Sequence, residues 1–372
     1  MFVHTGDYIE HIRDDALRST YYTFTPLPLV GGNFYTMDSA LAASLAKAYR
    51  ALGFLEGIIA LASDSELLAD FFLLRESCFS KMIDYPDFNM NSMLMKRGKG
   101  VIDSDIKNIA SAYRYATERP TQKLSFSSII SHALLGDNIE RKIAIRTKPL
   151  FLTQPTSNYR QYNPTAPRNV RSAMMDISKY IESSDADILI KAAMCHYQFE
   201  IIHPYECYNG IVGRILLYHM LSNVKMDGVC FLSLSASLYC HKAEYFDKLG
   251  ATQKNGNYTT WIEFFVNIVR EAAQSSAELI KYCDALFPQE EEAISARRQE
   301  RVDYTLGVYR YFVRNIASSI RHASEQLQFS FVTVSRSVAI LQDLGILTQI
   351  TKGSRNRVFA HAGLMNRLIS PE

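Results

Sequence analysis

The amino-acid sequence predicts a mainly α protein with one short β-hairpin and a C-terminal winged helix-turn-helix. Apolar residues recur at helical spacing along most of the chain, one internal stretch alternates and is rich in proline, and the C-terminal part reads as helices followed by two strands. A chain of 372 residues is long enough for two or three domains.

The N-terminal part carries the clearest helical period. Residues 38–80 read as helix with short breaks, and one helical face is apolar at positions Leu41, Leu45, Ala48, Leu52 and Leu55. Asp64 and Ser65 can cap the next helix. Further helices are predicted over 66–81, 103–117, 125–135, 170–183, 186–201, 210–221, 243–249 and 260–283.

Two segments break this pattern. Residues 143–167 contain four prolines and alternating apolar positions, which favours a β-hairpin followed by an irregular loop. The charged run 288–301 fits either a linker or a solvent-exposed helix. After it, helices over 304–316, 319–327 and 333–344 end at Gly345, and two strands around the tip 352–356 form a wing.

Composition limits the class of protein. The net charge of +2 excludes a bulk polyanion binder, so a nucleic-acid role needs a local patch. The six cysteines form no C-x-x-C pair and no zinc-ligand spacing, the first residues are charged, and no apolar run could span a bilayer. We therefore expect a cytoplasmic protein with reduced cysteines and no membrane partner.

The chemistry is concentrated in residues 193–217, AMCHYQFEIIHPYECYNGIVGRILL. A helix ends at His203-Pro204, and a second helix begins near Gly210. Unpaired N–H groups and the helix dipole favour an anion at that second start, where Asn209 and Arg214 can also donate. His203 can act as a general base, although a histidine before proline is often only a cap or a packed ring.

This segment resembles the motif H-P-F-x-[D/E]-G-N-G-R-x-x-R of the Fic (Fic/DOC) family. His203, Pro204, Asn209, Gly210 and Arg214 match in register, and Gly213 lies at a position that is often glycine. The resemblance implies a Fic helical core with a β-hairpin flap, and transfer of AMP from ATP to a Ser, Thr or Tyr hydroxyl of a target protein. It implies His203 as the base, Asn209 and the glycine backbone on the α-phosphate, and Arg214 on the γ-phosphate.

Three positions depart from the motif. Cys207 stands at the metal-binding carboxylate and is a poor ligand for Mg²⁺ or Mn²⁺, so Glu206 is the substitute we expect after a local shift. Tyr208 stands at a glycine position, where its Cβ restricts the backbone. Ile211 replaces an arginine and removes a cation.

The resemblance extends to both sides of the motif. Downstream, Tyr245 and Phe246 match an aromatic pair and are expected to form an adenine wall, or else are simply core aromatics. His241 stands where the family has asparagine. Upstream, the stretch IRTKPLFL is similar to the flap hairpin that aligns the target protein by strand addition.

A second upstream segment, residues 75–85, resembles the inhibitory helix of many Fic proteins. Ser80 matches, and Asp84 stands where the family has a glutamate that pairs with the last motif arginine, here Arg214. Tyr85 replaces a glycine or asparagine. The alternative is a helix that has kept its packing role and lost its inhibitory function.

The C-terminal module carries a local positive charge, with nine Lys or Arg against four Asp or Glu between 301 and 372. Arg336 on the third helix and Lys352, Arg355 and Arg357 on the wing are the expected DNA contacts. The alternative is a dimerisation or protein-docking unit, which leaves a homodimer open.

We therefore predict three regions: an N-terminal helical region with an inhibitory-type helix (1–115), a Fic core (116–287), and a linker with a winged helix-turn-helix (288–372). Two functions follow from the resemblance. One is an AMP transferase impaired by its motif changes. The other is an inactive nucleotide sensor or DNA-binding regulator that acts through the winged helix.

Overall fold

The computed structural model describes residues 4–12, 20–62, 64–88, 104–118, 125–136, 143–152, 162–222, 228–297, 302–353 and 355–370. Its helices are α1 (Ser39–Leu61), α2 (Ser65–Asp84), α3 (Ser104–Thr117), α4 (Phe126–Leu135), α5 (Pro167–Ser183), α6 (Ile188–Ile202), α7 (Asn209–Ser222), α8 (Leu234–Cys240), α9 (Lys242–Asn255), α10 (Tyr258–Ala296), α11 (Val302–Asn315), α12 (Ile320–Leu327), α13 (Phe331–Asp343) and α14 (Ala362–Ile369). The mainly α prediction is confirmed. Most predicted helices end within a few residues of these bounds, but α9 continues to Asn255 and α10 to Ala296, beyond the predicted ends at 249 and 283.

The centre of the fold is the helix pair α6 and α7. Nearly every residue of α6 is buried, and the same holds for α7, because both helices are apolar on all faces. Around this pair, α2 packs on α8 and α3, and α1 packs along α10. The loop between α6 and α7 is thereby held by two buried helices and faces the end of α2.

The N-terminus contains a β-hairpin that the sequence reading missed. Strands β1 (Gly6–Ile12) and β2 (Thr20–Pro26) pair antiparallel, with Tyr8 opposite Phe24. Only a few of their side chains are buried, so apolar alternation is weak in these strands. Phe24 supplies the main anchor, since it is fully buried.

The flap hairpin predicted near 143–152 is corrected by the structure. Those residues form extended chain without a strand, and the rest of the predicted hairpin and loop up to residue 161 lies outside the described residues. Arg146 explains the observed conformation, because its side chain and backbone N–H bind carbonyls of the α6 end instead of a neighbouring strand.

The charged run after 288 is helical as far as Ala296. Helix α10 continues through Pro288, so of the two alternatives for this segment the structure has the helix over 288–296. Tyr309 and His361 of the C-terminal part both bind Glu290 on this extension, at 2.9 and 3.1 Å.

The C-terminal part has the element order of a winged helix-turn-helix. Strands β3 (Ala317–Ser319), β4 (Leu347–Gln349) and β5 (Val358–His361) form an antiparallel sheet in the order β3-β5-β4, and α11, α12 and α13 pack beside it. Gly345 has a φ of 74°, and Ile346 N–H donates to the Leu341 carbonyl, which is the hydrogen bond of a glycine C-cap.

Two further expectations from composition can be compared with the structure. Among the described residues, no helix has both the length and the apolar character required to cross a membrane. All six cysteines lie in the described residues, and each is a free thiol.

Candidate active site

The site is built at the end of α6, where the chain turns at His203. This residue has a φ of 50° and a ψ of 64°, the left-handed conformation, and its N–H donates to the Phe199 carbonyl. For a non-glycine residue this conformation costs roughly 1–2 kcal/mol, so surrounding contacts must hold it. The imidazole lies beside the ring of Tyr162, with centroids 6.4 Å apart.

The imidazole of His203 is fixed in one tautomer. Its Nδ1 lies 3.1 Å from the Glu200 carbonyl oxygen and therefore donates to it, which leaves Nε2 as the unprotonated nitrogen. Burial lowers the pKa of His203 from 6.5 to about 4, with the nearby Arg146 guanidinium acting in the same direction. The ring is thus neutral at pH 7 and can accept a proton at Nε2.

The loop from 204 to 209 is closed by the side chain of Asn209. Its Oδ1 accepts from the Tyr205 N–H and its Nδ2 donates to the Tyr205 carbonyl, each at 2.8 Å. One hydrogen of the Asn209 amide is therefore used inside the loop.

The start of α7 already holds an anion, which is the carboxylate of Asp84. A Cβ built on Gly210 would lie 2.6 Å from both carboxylate oxygens of Asp84 and 2.9 Å from Nη1 of Arg214. Arg214 Nη2 donates to Asp84 at 2.8 Å and to the Ser80 carbonyl at 2.7 Å, and its Nε donates to Ser80 Oγ at 2.9 Å. The pair predicted between Asp84 and Arg214 therefore forms, and glycine at 210 makes the space for it.

Tyr208 keeps the loop conformation that glycine would adopt. Its φ is 63°, so the left-handed backbone is retained at a strain that glycine would not carry. Its ring lies 5.8 Å from the ring of Tyr85, the residue that follows α2. Two departures from the family pattern, one in each segment, are thus in contact with each other.

Glu200 belongs to the site although the sequence reading did not select it. Its side chain is 2% exposed, Oε2 accepts from Tyr162 at 3.4 Å, and Oε1 has no hydrogen-bond partner in the part of the chain described. Burial, with the Asp84 charge next, raises the pKa of Glu200 to about 8. Gly213 lies against it, because a Cβ there would be 2.9 Å from Oε1.

The adenine-wall prediction for Tyr245 is not supported by its position. Tyr245 is fully buried, and its hydroxyl lies 2.9 Å from Nε2 of His196. The ring of Tyr245 packs in the core against Trp261, which is the alternative that the sequence left open. Phe246 is partly exposed, so the wall stays a prediction for that ring alone, while His241 binds Glu271 at 2.9 Å.

The residues present do not fit a Mg²⁺ or Mn²⁺ site. Glu206 and Cys207 are both exposed on the loop, and a thiol is a soft ligand that these hard ions disfavour. No group of three His, Cys, Asp or Glu side chains among the described residues is arranged to hold a metal ion.

The predicted DNA contacts lie on the C-terminal surface, and their role stays a prediction. Arg336 on α13 and Lys352, Arg355 and Arg357 on the wing are all exposed. The start of α13 also exposes Phe331 and Val332, so this face is only partly cationic.

A known protein family matches the part of the chain that contains this site. Residues 88–221 match the Fic/DOC family, a range that contains His203 and the turn into α7. The chain carries a Fic/DOC domain. The described part of that domain includes the extended segment 143–152, helices α3 to α7 and all matched motif residues; Asp84 and Ser80 lie just before its start.

Solved structures of Fic proteins match this chain, and the first of the three below is similar in fold. A Fic family protein from Desulfovibrio desulfuricans G20 is 15% identical, covers 89% of this chain and 98% of its own, and has a TM-score of 0.54. A Fic domain containing signaling protein from Bacteroides thetaiotaomicron VPI-5482 is 15% identical over 65% of this chain and 98% of its own, with a TM-score of 0.46. Fic-1 from C. elegans (residues 134–508) is 16% identical over 64% and 72%, with a TM-score of 0.41.

Proposed function

We propose that this protein transfers AMP from ATP to a hydroxyl side chain of a target protein, and that it rests in a closed state. The observation that carries the proposal is the place of the Asp84 carboxylate, between Gly210 and the Arg214 guanidinium. A carboxylate in that position indicates that the start of α7 and Arg214 together form an anion cradle. Because the chain carries a Fic/DOC domain, we take the phosphates of a nucleotide to be the anions that bind in this cradle.

Besides positioned phosphates, the transfer of AMP requires a general base beside the anion cradle. His203 Nε2 accepts the proton of the target hydroxyl, the hydroxyl oxygen bonds to the α-phosphorus of ATP, and the bond from that phosphorus to the β-phosphate oxygen breaks. Pyrophosphate leaves, and the target carries an AMP ester. Asn209 supplies one amide hydrogen to the phosphate, and Arg214 supplies its guanidinium once Asp84 has moved.

No step of this mechanism is assigned to a metal ion, because Glu206 and Cys207 do not form a site for one. The absence of a carboxylate at Cys207 and of an arginine at Ile211 leaves less charge to stabilise the departing pyrophosphate. We therefore propose a slow transferase. The alternative from the sequence, a nucleotide sensor without chemistry, is less favoured because His203 is held as a neutral base with Nε2 available.

The test uses the full chain with ATP labelled on the α-phosphate. Because Asp84 occupies the cradle, the comparison is made in the Asp84→Asn background, with and without His203→Ala. We expect self-labelling in Asp84→Asn that is lost on adding His203→Ala and kept on adding His4→Ala, an exposed histidine distant in sequence. ATP labelled on the γ-phosphate should give no labelled protein.

A sensor gives a different result. Calorimetric binding of ATP to Asp84→Asn, without label transfer from either form of ATP, would reject the transferase and favour the sensor.

A further inference from the structure

The backbone around His203 is held by one arginine from a distant segment. Arg146 is 3% exposed, and its guanidinium donates to the carbonyls of His203 (from Nε, 2.6 Å) and Ile202 (from Nη2, 3.1 Å). The same Nη2 also donates to the Thr165 carbonyl, and Nη1 donates to the Lys148 carbonyl at 3.0 Å. The planar fork of arginine can satisfy several acceptors at fixed angles, which a lysine ammonium cannot.

The carbonyls bound in this way are those that the end of a helix leaves unpaired. Helix α6 stops at Ile202, so its last carbonyls have no partner within the helix. The backbone N–H of Arg146 donates to the Pro204 carbonyl at 2.9 Å, and the backbone N–H of Thr165 donates to the Ile201 carbonyl at 3.2 Å. All four carbonyls from 201 to 204 are therefore bound from outside α6.

We propose that Arg146 is a positioning residue for His203: its fork on the carbonyls of Ile202 and His203 holds the left-handed turn from which the imidazole is presented. Without that fork the turn at His203 is free to relax toward ordinary backbone, and Nδ1 then loses the Glu200 carbonyl. The role in catalysis rests on the proposed transferase, whereas the control of the ring geometry does not.

Titration of the His203 ring tests the proposal without relying on activity. The wild type, Arg146→Lys and Arg146→Gln are compared by NMR of ring ¹⁵N-labelled histidine, with the His203 signals assigned from His203→Asn. In the wild type we expect a neutral ring with Nδ1 protonated that titrates near pH 4. The charged or titratable neighbours that face this ring are Asp84, Arg146, Glu200 and Tyr162, and only Arg146 is changed.

We expect Arg146→Gln to mix the two ring tautomers. Arg146→Lys should show the same loss of the tautomer, because it keeps the cation and loses the fork. Arg171→Gln, at an exposed position on α5, is the matched control and should leave the ring unchanged. An unaltered tautomer in both Arg146 variants, or full restoration by lysine, would overturn the proposal.

Loss of buried hydrogen bonds can also unfold the protein, so each variant is first checked by thermal unfolding. If Arg146→Gln is unfolded at the temperature of the experiment, Arg146→Lys decides the outcome by the same ring signals. In the Asp84→Asn background, the transfer rate constant should fall at least tenfold in Arg146→Lys while the dissociation constant of ATP stays within twofold. A changed tautomer with no transfer in any variant supports the positioning role and rejects only the transferase; an unchanged rate constant beside a changed tautomer rejects the role in catalysis.

Discussion

Tyr85 and Tyr208 lie ring to ring, with centroids 5.8 Å apart and planes at 59°. The first follows the helix that carries Ser80 and Asp84, and the second lies in the loop that carries the motif. In the motifs that these two segments resemble, Tyr208 stands at a glycine position and Tyr85 at a glycine or asparagine position. The contact adds an aromatic pair to the ion pair of Asp84 with Arg214, and both hold the end of α2 against the start of α7.

This contact should be measurable as a coupling energy. We expect Tyr85→Ala and Tyr208→Ala to be non-additive in a double-mutant cycle of unfolding free energies, with a coupling of about 0.5–1.5 kcal/mol. Denaturation by urea measures it. The pair Tyr85→Ala and Tyr304→Ala, which combines Tyr85 with an exposed ring on α11, serves as the additive control. Additivity within about 0.3 kcal/mol in the first cycle would show that the contact between the two rings does not stabilise the fold.

The backbone strain at Tyr208 gives a second prediction. Both Tyr208→Gly and Tyr208→Ala remove the ring, but only glycine adopts a φ of 63° without strain. We therefore expect Tyr208→Gly to be more stable than Tyr208→Ala by roughly 1 kcal/mol in the free energy of unfolding. The same two substitutions at Tyr239, where φ is not positive, should show no preference for glycine. A Tyr208→Ala protein as stable as Tyr208→Gly would mean that the loop relaxes to another conformation.

Local patterns explain how much of this architecture was predictable. The period of Leu41 to Leu55 and the cap at Asp64 predict α1 and α2 because helical periodicity and capping are local properties. The N-terminal hairpin was missed since its strands bury few side chains, and the flap segment was assigned as paired strands because alternation does not reveal a backbone bound by Arg146. The spacing of Arg146 and His203 does not predict their contact, because it depends on the packing of segments that are distant in the sequence.

The site shows the same division. The match of the motif places His203, Asn209, Gly210 and Arg214 on one short loop and one helix start, where the structure has them, and their roles stay predictions. It could not tell that Tyr245 is buried against His196, because an aromatic residue on a helix has the same pattern in a core and in a wall. Nor could it tell that Asp84, one methylene shorter than glutamate, still reaches Arg214.

Release of that carboxylate should open the cradle. We expect Asp84→Asn to bind ATP at least tenfold more tightly than the wild type, because hydrogen bonds to charged groups contribute about 1.5–3 kcal/mol and the Arg214 guanidinium is then free for phosphate. Isothermal titration calorimetry measures the change. Asp87→Asn, an exposed aspartate three residues later, should bind ATP as the wild type does. Equal ATP affinity in the wild type and Asp84→Asn would refute an inhibitory role for the ion pair.

The wing gives a separate prediction about a partner. If the exposed cations of the wing contact duplex DNA, the full chain should bind it with an affinity that falls steeply with salt. Reversal of Lys352, Arg355 and Arg357 to glutamate should weaken binding at least tenfold in fluorescence anisotropy. Reversal of Arg168, Arg171 and Lys179 on α5 changes the net charge equally and is the control. Equal weakening by both sets would indicate bulk charge and not the wing.

Glu200 should make the stability of the fold depend on pH in a defined window. Burial raises its pKa from 4.5 to about 8, so the native state keeps a proton that the unfolded state has lost between those values. Its contribution to stability is present below pH 4.5 and declines as the pH rises to about 8. The lowered pKa of His203 acts with the opposite sign, but only between about 4 and 6.5, so the interval from 6.5 to 8 isolates Glu200.

Glu200→Gln keeps the shape of the side chain and removes the titration. We expect the unfolding free energy of the variant, relative to the wild type, to increase from pH 6.5 to about pH 8, because in the wild type the unfolded state ionises this carboxyl while the buried native carboxyl keeps its proton. Glu292→Gln, at an exposed position on α10, should show no such trend. A constant difference in unfolding free energy between Glu200→Gln and the wild type across this interval would place the carboxylate in contact with water or with a cation. Glu200 would then not hold a proton in the native site.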